Sequence, residues 1–191
     1  EPVMELLHKH ITIHFVPFGR AKSIRKGAKG FKCHNGESEC LGNMVQDCAI
    51  YNMYQNTDLQ KVKYVACEMK HGSSLRGNYS CVINSGINKE DVLKCAASSQ
   101  GVQLQLSSEY ITNLIKPNNI PAIGINQVSL ARTNLLGTLC SYIRKTYPCA
   151  IYYNQMAIDA IFDMEHIGPT SFSEKDTSSI ESDSIENDSS E

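Results

Sequence analysis

Three cysteines fall within sixteen residues, in the run Cys33-His-Asn-Gly36-Glu-Ser-Glu39-Cys40-Leu-Gly-Asn43-Met-Val-Gln-Asp-Cys48, and this framework constrains the chain more than any other stretch. The gaps of six and seven residues contain no close C-x-x-C pair, so the first half of a zinc site is missing and disulfides fit better than metal. From Gly42 onward the pattern is helical, with Leu41, Met44, Val45, Cys48, Ala49 and Met53 recurring at three- and four-residue intervals. Cys40 and Cys48 then lie near one face, two turns apart, and each needs a partner from elsewhere.

The chain holds eight cysteines, Cys33, Cys40, Cys48, Cys67, Cys81, Cys95, Cys140 and Cys149, an even number that points to an oxidising compartment, secreted or lysosomal. About 105 pairings are open, and sequence does not choose among them. Two glycosylation sequons, Asn78-Tyr-Ser80 and Asn187-Asp-Ser189, agree with that compartment. No apolar run approaches the ~20 residues of a membrane-spanning helix. The chain starts at Glu1 with neither methionine nor secretory signal, which reads as a processed product or a fragment.

Elsewhere the residues alternate between strand and helix chemistry. Val3, Leu6, Leu7 and His10 keep helical spacing behind Pro2, and Ile11–Val16 alternates apolar with polar as a strand does. Helices are expected over Leu59–Met69, capped at Thr57 or Asp58 and ending near Gly72, over Val92–Ala96 behind Asn88, and over Ser107–Lys116. Strand chemistry returns over residues 117–130, with Gln127–Arg132 as a last hairpin strand and Leu135–Ile143 as a closing helix. A strand, a helical block over residues 37–116 and a further strand imply an α/β sheet with a helical insertion.

The spacing C-x-x-G-x-x-E-C-x-x-N-x-x-x-x-C resembles the signature of the gamma-interferon-inducible lysosomal thiol reductase (GILT) family, carried by Cys33, Gly36, Glu39, Cys40, Asn43 and Cys48. Phe15-Val-Pro-Phe-Gly-Arg-Ala21 and Asn119-Ile-Pro121-Ala-Ile-Gly-Ile-Asn-Gln127 resemble the same family. The resemblance implies a thioredoxin-like sheet in which Pro121 is the cis-proline. It departs in His34-Asn35, where the family has Gln-His. It also implies a reaction whose residues are absent: the family reduces disulfides with a C-x-x-C pair, where a low-pKa thiolate attacks and the second cysteine resolves the mixed disulfide. No two cysteines here have that spacing, and the first strand with its C-x-x-C helix start has no counterpart. The chain is thus expected to be either part of an active oxidoreductase or a relative, such as a secreted, for example salivary, arthropod form, that lost the catalytic segment and acts by binding a protein or cell-surface ligand. Loss of an interior strand implies that Ile11–Val16 pairs with Ile120–Asn126 or finds another partner.

The expected divisions are residues 1–146 as a truncated thioredoxin-like domain, 147–170 as an extra helix packed through Ile151, Ile158, Ile161 and Phe162, and 171–191 as a disordered tail. The tail's eight serines stand among seven acids and one lysine, a formal −6 against +4 for the rest, and its Ser-x-Glu triplets suit secretory kinases. Arg20, Lys22, Arg25, Lys26, Lys29 and Lys32 place six bases in thirteen residues, either a solvated flexible loop or a surface for an anionic partner. The Ile120-Pro121 edge, where related folds hold extended peptide, is a second candidate surface, and the extra C-terminal helix is a third. His8, His10, His14 and His34 have no partner pattern of a metal or hydrolase site, no cofactor is implied, and neither a membrane span nor specific nucleic-acid recognition is expected.

Overall fold

The structure of the protein, a computed structural model, describes residues 2–125, 128–130 and 134–166. Its elements in chain order are α1 (Pro2–Leu7), β1 (Lys22–Ser23), β2 (Phe31–Lys32), α2 (Glu37–Asn52), α3 (Asp58–His71), α4 (Ser80–Asn84), α5 (Lys89–Ala96), α6 (Ser99–Ile115), β3 (Ile123–Ile125), β4 (Val128–Leu130), α7 (Leu135–Tyr142) and α8 (Tyr147–His166). The class is mixed α/β and mostly helical, with two antiparallel pairs among the described residues. In β1–β2, Lys22 faces Lys32 and Ser23 faces Phe31; in β3–β4, Ile123 faces Leu130 and Ile125 faces Val128. Two units divide the chain, Glu1–Tyr152 and Tyr153–Glu191.

Local chemistry sets the helix ends. Thr57 accepts from the Gln60 N–H while the Gln60 side chain accepts from the Thr57 N–H, a reciprocal cap that starts α3, and Gly72 in the left-handed region closes it. Asn88 accepts from the Glu90 N–H and starts α5. The core of the first unit gathers Val45, Cys48 and Ala49 of α2 with Met53 capping it, Tyr64 of α3, Cys81 and Val82 of α4, and Val92, Cys95 and Ala96 of α5. Four disulfides, Cys33–Cys40, Cys48–Cys95, Cys67–Cys81 and Cys140–Cys149, use all eight cysteines.

A second buried knot sits beside this core. The Glu68 carboxylate accepts from Ser73 Oγ at 2.7 Å, Ser74 Oγ at 2.7 Å and the Ser74 N–H at 2.9 Å, and Ser73 Oγ accepts from the Cys81 N–H at 3.1 Å. Those bonds fold the α3–α4 loop onto the Cys67–Cys81 bridge and leave Asn78 exposed on it. Burial, and then the nearby Glu68 charge, push the Tyr64 hydroxyl above its ordinary pKa.

Several expectations need correction. Ile11–Val16 is not a strand: its burial alternates, with Ile11 and Ile13 half-buried and Thr12 and His14 exposed, but it joins no ladder among the described residues. Its Ile13 N–H donates instead to the Asp58 carboxylate at 3.0 Å, and β3 pairs with β4 rather than with it. The period of two was legible; the partner was not. In α1 the buried side chains are Met4 and Leu7, whereas Leu6 is exposed.

α6 begins at Ser99, eight residues earlier than expected at Ser107, because its buried face is Gly101, Gln105 and Ser108. Such a face carries no hydrophobic period, and Tyr110 and Leu114, which suggested the shorter helix, point to solvent. Gly101 lets α6 approach α5 closely: a Cβ there would lie 2.7 Å from the Cys95 carbonyl oxygen. α8 begins at Tyr147 as an added helix and Ile151 on it is half exposed. The Ile161 and Phe162 side chains, Asn126, Gln127, Arg132, Asn187 and the tail at 171–191 lie outside the described residues.

By the scaling of closure entropy with loop length, removing Cys48–Cys95, which spans 47 residues, costs about 4 kcal/mol, against about 3 kcal/mol for Cys67–Cys81, which spans 14. Urea unfolding of the two paired alanine variants is expected to show the larger loss for Cys48→Ala/Cys95→Ala. The reverse order would mean that local strain, not chain entropy, decides these bridges.

Candidate functional site

α2 opens on Gly36, whose φ of 89° and ψ of −165° suit glycine alone, so the chain turns sharply from Cys33 into the helix. The Cys33–Cys40 bond closes this turn into a ring. Within the ring Glu39 accepts from the Asn35 N–H, which fixes the loop against the first helical turn.

Four and eight residues beyond Glu39 on the same helix stand Asn43 and Asp47. This spacing puts all three side chains on one face, and that face grips the Pro17-Phe18-Gly19 turn. Glu39 Oε1 lies 3.3 Å from where a Gly19 Cβ would be. Asn43 Nδ2 donates to the Phe18 carbonyl at 3.0 Å. Asp47 accepts from Gln105 Nε2 at 2.6 Å, and the same amide donates to the Pro17 carbonyl at 3.0 Å. Phe18 itself is buried and meets Phe31 edge-on, with ring centroids 6.2 Å apart.

Held in this way, Gly19 and Arg20 form one wall of a cleft of about 260 Å³, which His34, Asn35, Glu39, Asn119 and Ile120 complete. The Ile120–Pro121 peptide bond is cis and leads into β3. The cleft offers donors from Arg20, His34 and Asn35, the Glu39 carboxylate, and an apolar side chain in Ile120, 41% exposed. Its makeup suits a polypeptide backbone with its amides and carbonyls better than a buried apolar ligand.

Of the residues singled out from sequence, Arg20, His34, Glu39 and Ile120 line this cleft; Cys33, Gly36 and Cys40 belong to the ring that carries His34, Asn35 and Glu39, Asn43 holds the Phe18 carbonyl next to Gly19, and Pro121 follows Ile120. Cys48 does not join them; it is fully buried and bonded to Cys95. His8, His10 and His14 are elsewhere, the first with its ring nitrogen against the Met4 and Glu5 carbonyls. Sequence reasoning missed Asp47, Gln105 and Ser108. The available signal was the four-residue interval from Glu39 through Asn43 to Asp47.

The family model described as gamma interferon inducible lysosomal thiol reductase (GILT) matches residues 1–99. This chain belongs to the GILT family. Among curated relatives, this GILT-family chain is 30% identical over 159 residues to GILT-like protein 1 of Drosophila melanogaster, covering 72% of the chain and 64% of the relative. It is 29% identical over 140 residues to a gamma-interferon-inducible lysosomal thiol reductase-like protein of Anopheles gambiae, covering 66% and 58%. Against the gamma-interferon-inducible lysosomal thiol reductase of Carassius auratus it is 26% identical over 160 residues, covering 78% and 62%. The GILT-family chain thus spans about three fifths of the length of these relatives. No helix among its described residues is long and apolar enough to cross a membrane.

Asp47 is the titrating element of this GILT-family site. Its burial raises the carboxyl from 3.8 to about 6, with hydrogen bonds from Ser108 and Gln105 opposing the rise. A raised folded-state pKa means that the native protein binds the proton more tightly than the unfolded chain does. The resulting stabilisation is complete below the unfolded value and disappears as pH climbs through about 6, a span of about 3 kcal/mol. Asp47→Asn, neutral throughout, is expected to gain on the natural chain by up to that amount between pH about 4 and pH about 7, as read by chemical unfolding at both. A pH-independent difference would show that Asp47 does not titrate in this window.

Proposed function

We propose that this chain is the binding body of a GILT-family protein of the secretory or lysosomal route, one that takes extended polypeptide at the Ile120–Pro121 edge and performs no thiol–disulfide turnover with its own residues. The observation that carries this reading is the pairing of all eight cysteines in a chain with no C-x-x-C spacing, beside a cleft that is open and polar. Reduction of a substrate disulfide needs a thiolate to attack and a second thiol to resolve, and no cysteine is left for either part. The placing of Pro121 just before β3 fits the family resemblance, and β3 has only β4 as its ladder partner among the described residues. Its other edge can accept a strand.

A second reading rests on the family and on the three fifths of each relative that the chain covers: the same cleft would form the substrate side of a thiol–disulfide oxidoreductase whose reacting pair lies in a longer protein. In that arrangement the four bridges and the α2 polar face serve as scaffold for the reaction.

An insulin-reduction assay with dithiothreitol as electron source separates the readings for this chain. The expected rate equals that of the protein-free blank, and turnover above it overturns the proposal. Alkylated insulin B chain serves as the binding probe. Ile120→Asp, at an exposed position, is expected to weaken its capture at least about tenfold, since a charge replaces the apolar contact at the edge. No capture by the natural chain, or equal capture by the variant, counts against the cleft.

A further inference from the structure

The β1–β2 hairpin carries a charge arrangement of which the cleft uses only Arg20. Arg20, Lys22, Arg25, Lys26, Lys29 and Lys32 are all exposed, and none has a carboxylate partner among the described residues. Two of them, Lys22 and Lys32, are direct cross-strand partners. Like charges opposite each other destabilise an antiparallel pair, so this hairpin is held together against its own repulsion.

The holding force is visible. The Ile24 N–H donates to the Gly30 carbonyl at 2.9 Å and the Lys29 N–H to the Ile24 carbonyl at 3.2 Å, extending the hairpin beyond its ladder. The Ser23 N–H donates to the Glu109 carboxylate of α6 at 2.8 Å. Gly27 at the tip is buried with φ +83°, and a Cβ there would lie 2.7 Å from Val102 Cγ1 of α6. The tip is therefore seated on a helix, and the bases around it stand on a fixed platform. A solvated, flexible loop does not have this construction.

We propose that this hairpin is a binding site for sulfated polysaccharide. A densely sulfated chain places anions against Lys22 and Lys32 together and removes the repulsion between them, with Arg25, Lys26 and Lys29 around the tip and Arg20 at the base. The four disulfides place the protein in an oxidising compartment, outside the cytosol. Anionic lipid is concentrated in the cytoplasmic leaflet, on the other side of the membrane. Single-stranded nucleic acid is held by aromatic platforms as well as by bases, but beside this hairpin Phe18 is buried and Phe31 is half-buried against it in an edge-on contact. The proposal shares only Arg20 with the peptide cleft and does not depend on it.

The test measures binding of the full chain to size-defined heparin oligosaccharide by fluorescence anisotropy, with three variants. Lys22→Gln/Lys29→Gln/Lys32→Gln removes hairpin charge; Lys63→Gln/Lys70→Gln/Lys94→Gln removes the same charge from exposed positions of α3 and α5. Arg25→Gly/Lys26→Gly removes two further charges at residues with φ of 49° and 54°, where glycine is the less strained residue, so this variant retains the fold. Both hairpin variants are expected to bind at least tenfold more weakly and the control less than twofold. Equal loss in the control, absence of binding by the natural chain, undiminished binding of fully desulfated heparin, or tighter binding to phosphatidylserine vesicles or single-stranded DNA each overturns the proposal.

Discussion

α2 works as a two-sided beam, and the rest of the first unit depends on that. One side buries Val45, Cys48 and Ala49, with Met53 at its C-cap, and is bolted to α5 through the Cys48–Cys95 bond between two buried residues. The other side carries Glu39, Asn43 and Asp47 and holds the turn that walls the cleft. Because a helix is rigid over these sixteen residues, fixing one side in the core fixes the other side at the cleft. The spacing of the family signature follows from this geometry: Gly36 supplies the entry turn, Glu39 and Asn43 the gripping face, Cys40 the ring closure and Cys48 the anchor.

The buried Asp47 shows how this beam is coupled to α6. A carboxylate taken from water is costly unless donors replace the lost hydration. Here Ser108 Oγ, at 3.1 and 3.0 Å from the two carboxylate oxygens, and Gln105 Nε2 supply them. Gln105 Oε1, by contrast, is buried without a hydrogen-bond partner. A protonated Asp47 would bring a donor into the same cluster, so acid favours this contact twice, by removing a buried charge and by adding a hydrogen where an acceptor lacks one. Tyr64 is the other ionisable group that senses the Asp47 charge, and its hydroxyl stays protonated across this range.

What could be read from the residues divides along physical lines. Helices with an apolar stripe or a side-chain cap were legible: Thr57, Asn88 and the Cys48 face of α2 each carried a local cause. The cysteine framework and the family were legible for the same reason, since spacing along a helix is a local property. α6 was not, because it buries Gly101, Gln105 and Ser108, and a small polar seam has no hydrophobic period to detect. Ile11–Val16 failed differently. Alternation states which side chains face inward, but a strand also requires a neighbour for its backbone, and that neighbour is decided by the whole chain. The cleft shares this property, being assembled from residues as distant as Gly19 and Ile120.

The four bridges differ in how far a thiol could reach them. Thiol–disulfide exchange requires a thiolate to reach a sulfur, so the rate at which a bridge is lost depends on access as much as on its stability. Every bridge here has at least one buried cysteine: Cys33 is 8% exposed, Cys48, Cys81, Cys140 and Cys149 are 0%, and Cys95 is 5%. The Cys33–Cys40 bond is the instructive case, because its ring supplies His34, Asn35 and Glu39 to the cleft and it therefore lies closest to any incoming thiol. Its more exposed member, Cys40, sits in the first turn of α2, and attack there would release the buried Cys33 as the leaving thiolate. The ring thus shapes the cleft while one of its two sulfur-bearing residues stays buried.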